Sequence, residues 1–186
     1  IDFFFFFIHF SLVFIIIILL IRIFGVDLNK LTLIVNNPLP QEDLSYCFYG
    51  CSFNNTSQIE PILNNISTVS NMEYCFYKTT IDSTEILNRI NMKNGTSLAY
   101  CFGYCENITE LNDVSISSKV SSVEGMFEGS NIARVNNFTV LCSMIDNLFK
   151  NCKKLLVVNN FSATATTSYK SLFEGCSSLV EIPLKD

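Results

Sequence analysis

The stretch "SYKSLFEGCSSLVEIPL", Ser168 to Leu184, sets a Phe between an apolar residue and a polar one, with a small residue three places on. Similar wording stands at "DLSYCFYGCS" (43–52), "SLAYCFGYCENITEL" (97–111) and "SVEGMFEGSNI" (122–132). The repeated Phe falls at Phe48, Phe76, Phe102, Phe127, Phe149 and Phe173, with separations of 28, 26, 25, 22 and 24 residues. A period between about 20 and 50 residues marks a solenoid or a similar array.

The neighbours of each Phe repeat as well. Four residues before it stand Leu44, Met72, Leu98, Val123, Ile145 and Tyr169, and directly before it Cys47, Cys75, Cys101, Met126, Leu148 and Leu172. Three residues after it stand Cys51, Thr79, Cys105, Ser130, Cys152 and Cys176. Offsets of 0, 3, 4 and 7 form one face of an α-helix, so the pattern predicts a two-turn helix in each copy. Asp43, Asn71, Ser97, Ser122 and Ser168 precede it as cap residues, with Met144 breaking the rule. Gly50, Gly129, Gly175 and Asn151 suit a left-handed stop, from which Lys78 and Tyr104 depart. Steps of two at Val114–Ile116 and Ile182–Leu184 suggest a short strand after each helix. The expected fold is therefore α/β, a solenoid of about six strand–turn–short-helix coils with the Phe rings stacked in one file. The stretches at 52–58 and "TTIDSTEILNRINMKNGTS" (79–97) read as loop insertions.

Residues 3–24, "FFFFFIHFSLVFIIIILLIRIF", are a different material. An apolar run of about 20 residues matches the thickness of a bilayer core. It has no basic start and exceeds the roughly 7–15 apolar residues of a cleaved signal. Residues 1–26 are read as a hydrophobic helix, either a signal anchor or a signal peptide cut near Gly25. Translated upstream sequence is the third alternative. Residues 27–42 form a linker or N-terminal cap, and 43–186 the solenoid. No polar cap follows the last copy, so further repeats or a paired surface are expected beyond Asp186.

The net charge of -5 and pI near 4.9 exclude a nucleic-acid partner. The single His9 lies in the apolar run, so no Ser-His or Cys-His pair can form in the repeats. No phosphate loop and no recurring carboxylate pair appear, and Glu128 and Glu174 fall on the outer side. No catalytic, metal or cofactor residue is therefore assigned. The C-x3-C pairs Cys47–Cys51 and Cys101–Cys105 leave zinc and disulfides open. Because Leu, Met, Ser and Thr occupy the same positions in other copies, core packing is the expectation. Cys142 stands outside the repeat phase. Asn112, Asn136 and Asn159 share a phase and should form a column. Sequons stand at Asn54, Asn55, Asn65, Asn94, Asn107, Asn137 and Asn160, sites of glycans in a eukaryotic secretory route.

The pattern Met/Leu-x-x-Cys/Met-Phe-x-Gly-Cys-x-x-Leu-x-x-Ile resembles the BspA-like leucine-rich repeat family, in its variant of about 25 residues found in mycoplasma, protist and gut-bacterial surface proteins. "YKSLFEGCSSLVEIPL" is the nearest copy, and the resemblance covers roughly residues 43–184. It implies a curved solenoid displayed outside the cell, without catalytic residues. The expected function is a non-catalytic surface repeat protein, at the cell surface or secreted. It would bind a protein or glycan on another cell or in the matrix, with the membrane reached through residues 1–26 if these are retained. The alternative is an intracellular leucine-rich-repeat scaffold.

Overall fold

In a computed structural model, residues 42–53, 57, 59–60 and 68–180 are described. The apolar run at 3–24, the cap region 27–41, the sequons at Asn54, Asn55 and Asn65, and the Ile182–Leu184 strand lie outside them. Among the described residues no helix is long and apolar enough to cross a membrane.

The chain winds as a β-solenoid. Among the described residues seven strands appear in order: β1 (Val69–Asn71), β2 (Met92–Ser97), β3 (Glu110–Asn112), β4 (Ser115–Ile116), β5 (Val120–Ser122), β6 (Arg134–Val140) and β7 (Val157–Ala163), with helix α1 (Ile86–Arg89) before β2. Every pairing is parallel. β1, β2 and β5 form one sheet, which isolated bridges extend to Asp43, Met144 and Ser168. β3 and β4 both pair with β6, which pairs in register with β7 from Arg134↔Val157 to Val140↔Ala163. Four complete circuits are described, opening at Met72, Leu98, Val123 and Ile145; the segment at 44–51 stacks before them and that at 169–176 after.

The expected two-turn helices are absent, and this corrects the fold class from strand–helix coils to a β-solenoid with little helix. Each of the six eight-residue segments is a chain of overlapping turns. In the first, the N–H groups of Cys47, Tyr49 and Cys51 return to the carbonyls of Leu44, Tyr46 and Phe48, three residues back. The alternate N–H groups leave the segment altogether. Leu44, Tyr46, Phe48 and Gly50 donate to the carbonyls of Asn71, Glu73, Cys75 and Tyr77 in the next coil, at 2.8–2.9 Å. The same four cross-coil bonds recur at all five junctions between successive segments.

The cause lies in the third and seventh residues. Tyr46, Tyr74, Tyr100, Gly125, Asn147 and Ser171 have positive φ, as do Gly50, Lys78, Tyr104, Gly129, Asn151 and Gly175. Positive φ at the third of four residues defines a type II turn and cannot propagate an α-helix. The left-handed stop was therefore expected correctly at the seventh position, and it extends to Lys78 and Tyr104. The turn chain keeps residues 0, 3, 4 and 7 on one side, so the apolar pattern is that of a helix while the hydrogen bonding is that of a sheet.

Four of the five expected cap residues act as such, at the head of a turn rather than of a helix. Asp43, Asn71, Ser97 and Ser122 accept from the N–H two residues on, at 2.8, 3.0, 3.4 and 3.1 Å. In the sixth segment Ser168 does not accept, and its place is taken by Asp146 of the preceding coil. Its carboxylate accepts from the Lys170 N–H and the Ser168 hydroxyl, both at 2.7 Å.

The six Phe rings stand in one file. Successive centroids are 5.2, 5.4, 5.8, 5.8 and 5.7 Å apart and no pair is tilted by more than 14°. Phe138 and Phe161 form a second stack, edge-on to the first. Of the expected insertions, 79–97 holds α1 and then β2, a paired strand. All eight Cys are free thiols, seven of them buried and Cys176 half-buried. Cys142 lies buried just after β6, its Sγ toward the Met144 carbonyl.

Candidate binding face

The turn chain directs its third and sixth residues away from the Phe file, and in the first three coils these are largely tyrosine. Tyr46, Tyr74 and Tyr100 stack at 4.9 Å and 4.9 Å, within 10° of parallel. Beside them Tyr49 stacks on Tyr77 at 5.2 Å, and Tyr77 meets Tyr104 at 5.5 Å and 57°. Six of the seven tyrosines thus share one surface, two of them exposed and four half-buried.

Both files end on glycine. A Cβ on Gly125 would lie 2.3 Å from the Tyr100 ring, and one on Gly129 would lie 2.5 Å from the Tyr104 ring. Gly103 is likewise covered by the Tyr77 ring, at 2.7 Å. The third coil therefore lays its rings flat on the backbone of the fourth, which is why these positions are bare.

Carboxylates border the face. The Tyr100 hydroxyl donates to Glu124 Oε1 at 3.1 Å, and the Asn151 amide reaches Glu128 Oε1 at 3.4 Å. Burial, reinforced by neighbouring tyrosines and Glu128, pushes the Tyr77 phenol up to about 12. Burial and the bond to Glu124 do the same for Tyr100, also to about 12. These hydroxyls stay protonated at neutral pH, and that of Tyr100 donates to Glu124. Lys78 brings a cation to the face: its Nζ lies 5.6 Å from the Tyr77 ring centroid and 6.0 Å from that of Tyr104.

A polar face lies on the other sheet. The expected Asn column exists: the Asn136 amide donates to Asn112 at 2.8 Å, and Asn159 to Asn136 at 2.9 Å. A second ladder runs beside it, from Asn160 to Asn137 to Asp113, with both bonds at 2.8 Å. All three of its members have positive φ, so they form the corner between β3 and β4 and the bends within β6 and β7. Parallel in-register stacking makes such ladders from identical amides.

A family model described as "Mycoplasma protein of unknown function, DUF285" matches residues 42–139, 98 of the 186 residues. The chain belongs to that family. No curated protein and no solved structure matches it. The DUF285 span begins one residue before the first cap, Asp43, and contains all six tyrosines of the face, together with Gly125 and Gly129. It thus agrees with a mycoplasma-type repeat protein.

Of the sequon asparagines, Asn94, Asn107, Asn137 and Asn160 are described, and all four are exposed. Asn137 and Asn160 use their amides in the second ladder, and Asn107 donates to the Thr80 carbonyl at 2.9 Å. Asn94 lies in β2 beside Gly95, while the Thr96 hydroxyl of its sequon is buried on the Val69 carbonyl at 2.8 Å. The paired Cys47–Cys51 and Cys101–Cys105 face the core, where Cys105 Sγ points at the Phe76 carbonyl at 3.0 Å. Glu174 is exposed and Glu128 half-buried. Sequence reasoning missed the tyrosine face. The signal was present in Tyr46, Tyr74 and Tyr100 at one repeat position, but attention to the apolar offsets left the outward positions unaligned.

Proposed function

We propose that this DUF285 chain is a non-catalytic binding module displayed at the cell surface or secreted, which holds a protein or glycan partner through its solenoid face. The observation that carries the reading is the two-file tyrosine surface. Tyrosine offers large contact area, a polar tip and little conformational entropy to lose, which is why it is enriched at interfaces. Cross-coil hydrogen bonds hold its backbone in advance, which lowers the cost of association.

The likeness of the repeat wording to BspA-like leucine-rich repeat surface proteins supports exposure outside the cell. So does the apolar run at 3–24, as a membrane anchor or export signal. A second reading, an intracellular scaffold, is favoured by eight free thiols, since disulfides accumulate in oxidising compartments.

Two measurements test this. Protease treatment of intact cells should digest the protein; protection until lysis overturns the surface reading and supports the scaffold. Purified full chain should bind a panel of host-cell extracts and glycans. Tyr46→Ser with Tyr74→Ser should lower that binding about tenfold, an expectation of roughly 1.4 kcal/mol. Equal binding by a folded variant removes the tyrosine face from the proposal.

A further inference from the structure

We infer that the angle between Tyr77 and Tyr104, bordered by Glu128 and, across Tyr100, by Glu124, is a seat for a guanidinium group, so that the partner of the tyrosine face presents an arginine-rich peptide segment. The inference rests on the proposed binding role and narrows it to one chemistry.

Three observations converge there. The first is ring geometry. Tyr46, Tyr74 and Tyr100 cover one another's faces by near-parallel stacking, so a sugar ring finds few free aromatic planes along that file. Tyr104 departs from stacking, tilted 57° against Tyr77 and 38% exposed. Together the two rings form an open angle.

The second is charge. Glu124 holds the Tyr100 hydroxyl and Glu128 lies in the coil that Tyr104 covers, its backbone carbonyl accepting the Tyr104 N–H at 2.6 Å. An aromatic plane beside carboxylates attracts a planar cation, and arginine combines stacking with paired donation to carboxylate.

The third is that a cation already lies there. The ammonium of Lys78 sits 5.6 and 6.0 Å from the two ring centroids, at the end of an exposed side chain. Lys78 thus acts as a tethered occupant which an incoming guanidinium displaces. A cation held between those rings within the chain shows the electrostatics that a partner's cation would meet.

The chain has no Trp, and six of its seven tyrosines lie on this face, so intrinsic fluorescence reports it directly. The full chain is titrated with tetra-arginine and, separately, with cellohexaose as a neutral glycan. Tetra-arginine should quench tyrosine emission saturably. Affinity should fall at least tenfold in Glu124→Gln/Glu128→Gln and in Tyr104→Leu. It should rise severalfold in Lys78→Ala and stay unchanged in Glu110→Gln, whose carboxylate lies on β3. Equal losses in Glu110→Gln and the double variant would mean unspecific attraction to an acidic protein and overturn the seat, as would weaker binding by Lys78→Ala. Cellohexaose binding without tetra-arginine binding overturns the guanidinium inference and leaves the binding role standing. Binding of neither probe overturns the guanidinium inference, and only failure against the extract and glycan panel overturns the binding role.

Discussion

The eighth residue of each turn segment shows how one small side chain carries the junction between coils. Cys105, Cys152 and Cys176 direct Sγ to the Phe carbonyl of the preceding coil at 3.0–3.1 Å, and Ser130 donates its hydroxyl to Phe102 at 2.7 Å. Ser130 Oγ also accepts the Cys105 N–H at 3.2 Å, so that one atom satisfies two buried backbone groups. Cys, Ser and Thr alternate there because each is small and each carries a donor. Ser130→Ala should therefore cost about 1–3 kcal/mol, since it strands both groups in the core. Ser130→Cys should cost less, and urea unfolding midpoints distinguish the two. Three residues back, the fully buried Phe127 ring stacks on Phe102 and Phe149, and Phe127→Ala should cost about 3–5 kcal/mol. Phe173, half-buried with a single file neighbour, should cost visibly less when truncated.

At the scale of the turn segment, the backbone sign at the third and seventh positions decides the structure. A left-handed residue with a side chain costs roughly 1–2 kcal/mol, and glycine avoids most of that. Lys78 has φ 55, so Lys78→Gly should raise stability by about 1 kcal/mol despite the lost ring contact. Gly125→Ala should do the reverse. It places a Cβ at φ 55 and at 2.3 Å from the Tyr100 ring, which must leave its stack; thermal melting and tyrosine emission should both change. The same positions explain what could be read in the sequence. Apolar offsets of 0, 3, 4 and 7 located the core side chains of the first five segments, while Tyr169 at offset 0 of the sixth is exposed, and Phe48 to Phe173 do form a single file. Those offsets are shared by a helix and by three overlapping turns, because both return a side chain to the core after three or four residues. What separated them was Gly125 and Asn147 in mid-segment, where a helix former belongs, and tyrosine in three other copies hid that signal. The Asn112–Asn136–Asn159 column was legible because one phase of the repeat names it. Its neighbour was not, since it starts with Asp113. The tyrosine face was legible only by aligning residues that contribute nothing to the core.

Over the whole molecule, stability is a sum over junctions, because each coil bonds only to the coils on either side. The coils of Phe102 and Phe127, bonded to a neighbour on both sides, should therefore open late. Hydrogen exchange should show the Phe102 and Phe127 amides, bonded across coils at 2.9 and 3.0 Å, among the slowest. The burial that closes the junctions also makes the stack sensitive to alkali. Tyr77 and Tyr100 are pushed up to about 12, and Cys152 is pushed up to about 12 chiefly by burial, while Cys47 and Cys75 are raised as well. In the unfolded chain these groups lose their protons near their ordinary values, about 8.5 for Cys and about 10 for Tyr. Between those values and the folded ones the native state holds more protons than the unfolded state, so stability must fall as pH rises. The contribution is intact below pH about 8.5 and is lost progressively toward pH 12. Asp146 sets the opposite limit. The Ser168 hydroxyl and Lys170 N–H hold its carboxyl below the usual range, so its share is present above about pH 4 and is lost on acidification. Urea midpoints measured from pH 3 to 11 should give a plateau between these limits and a fall above pH 9. Replacing Cys152 by Ser, which keeps a donor to the Phe127 carbonyl without an ionisable thiol, should make the alkaline fall shallower. A fall of unchanged steepness would mean that buried thiols in the junctions do not govern the alkaline limit.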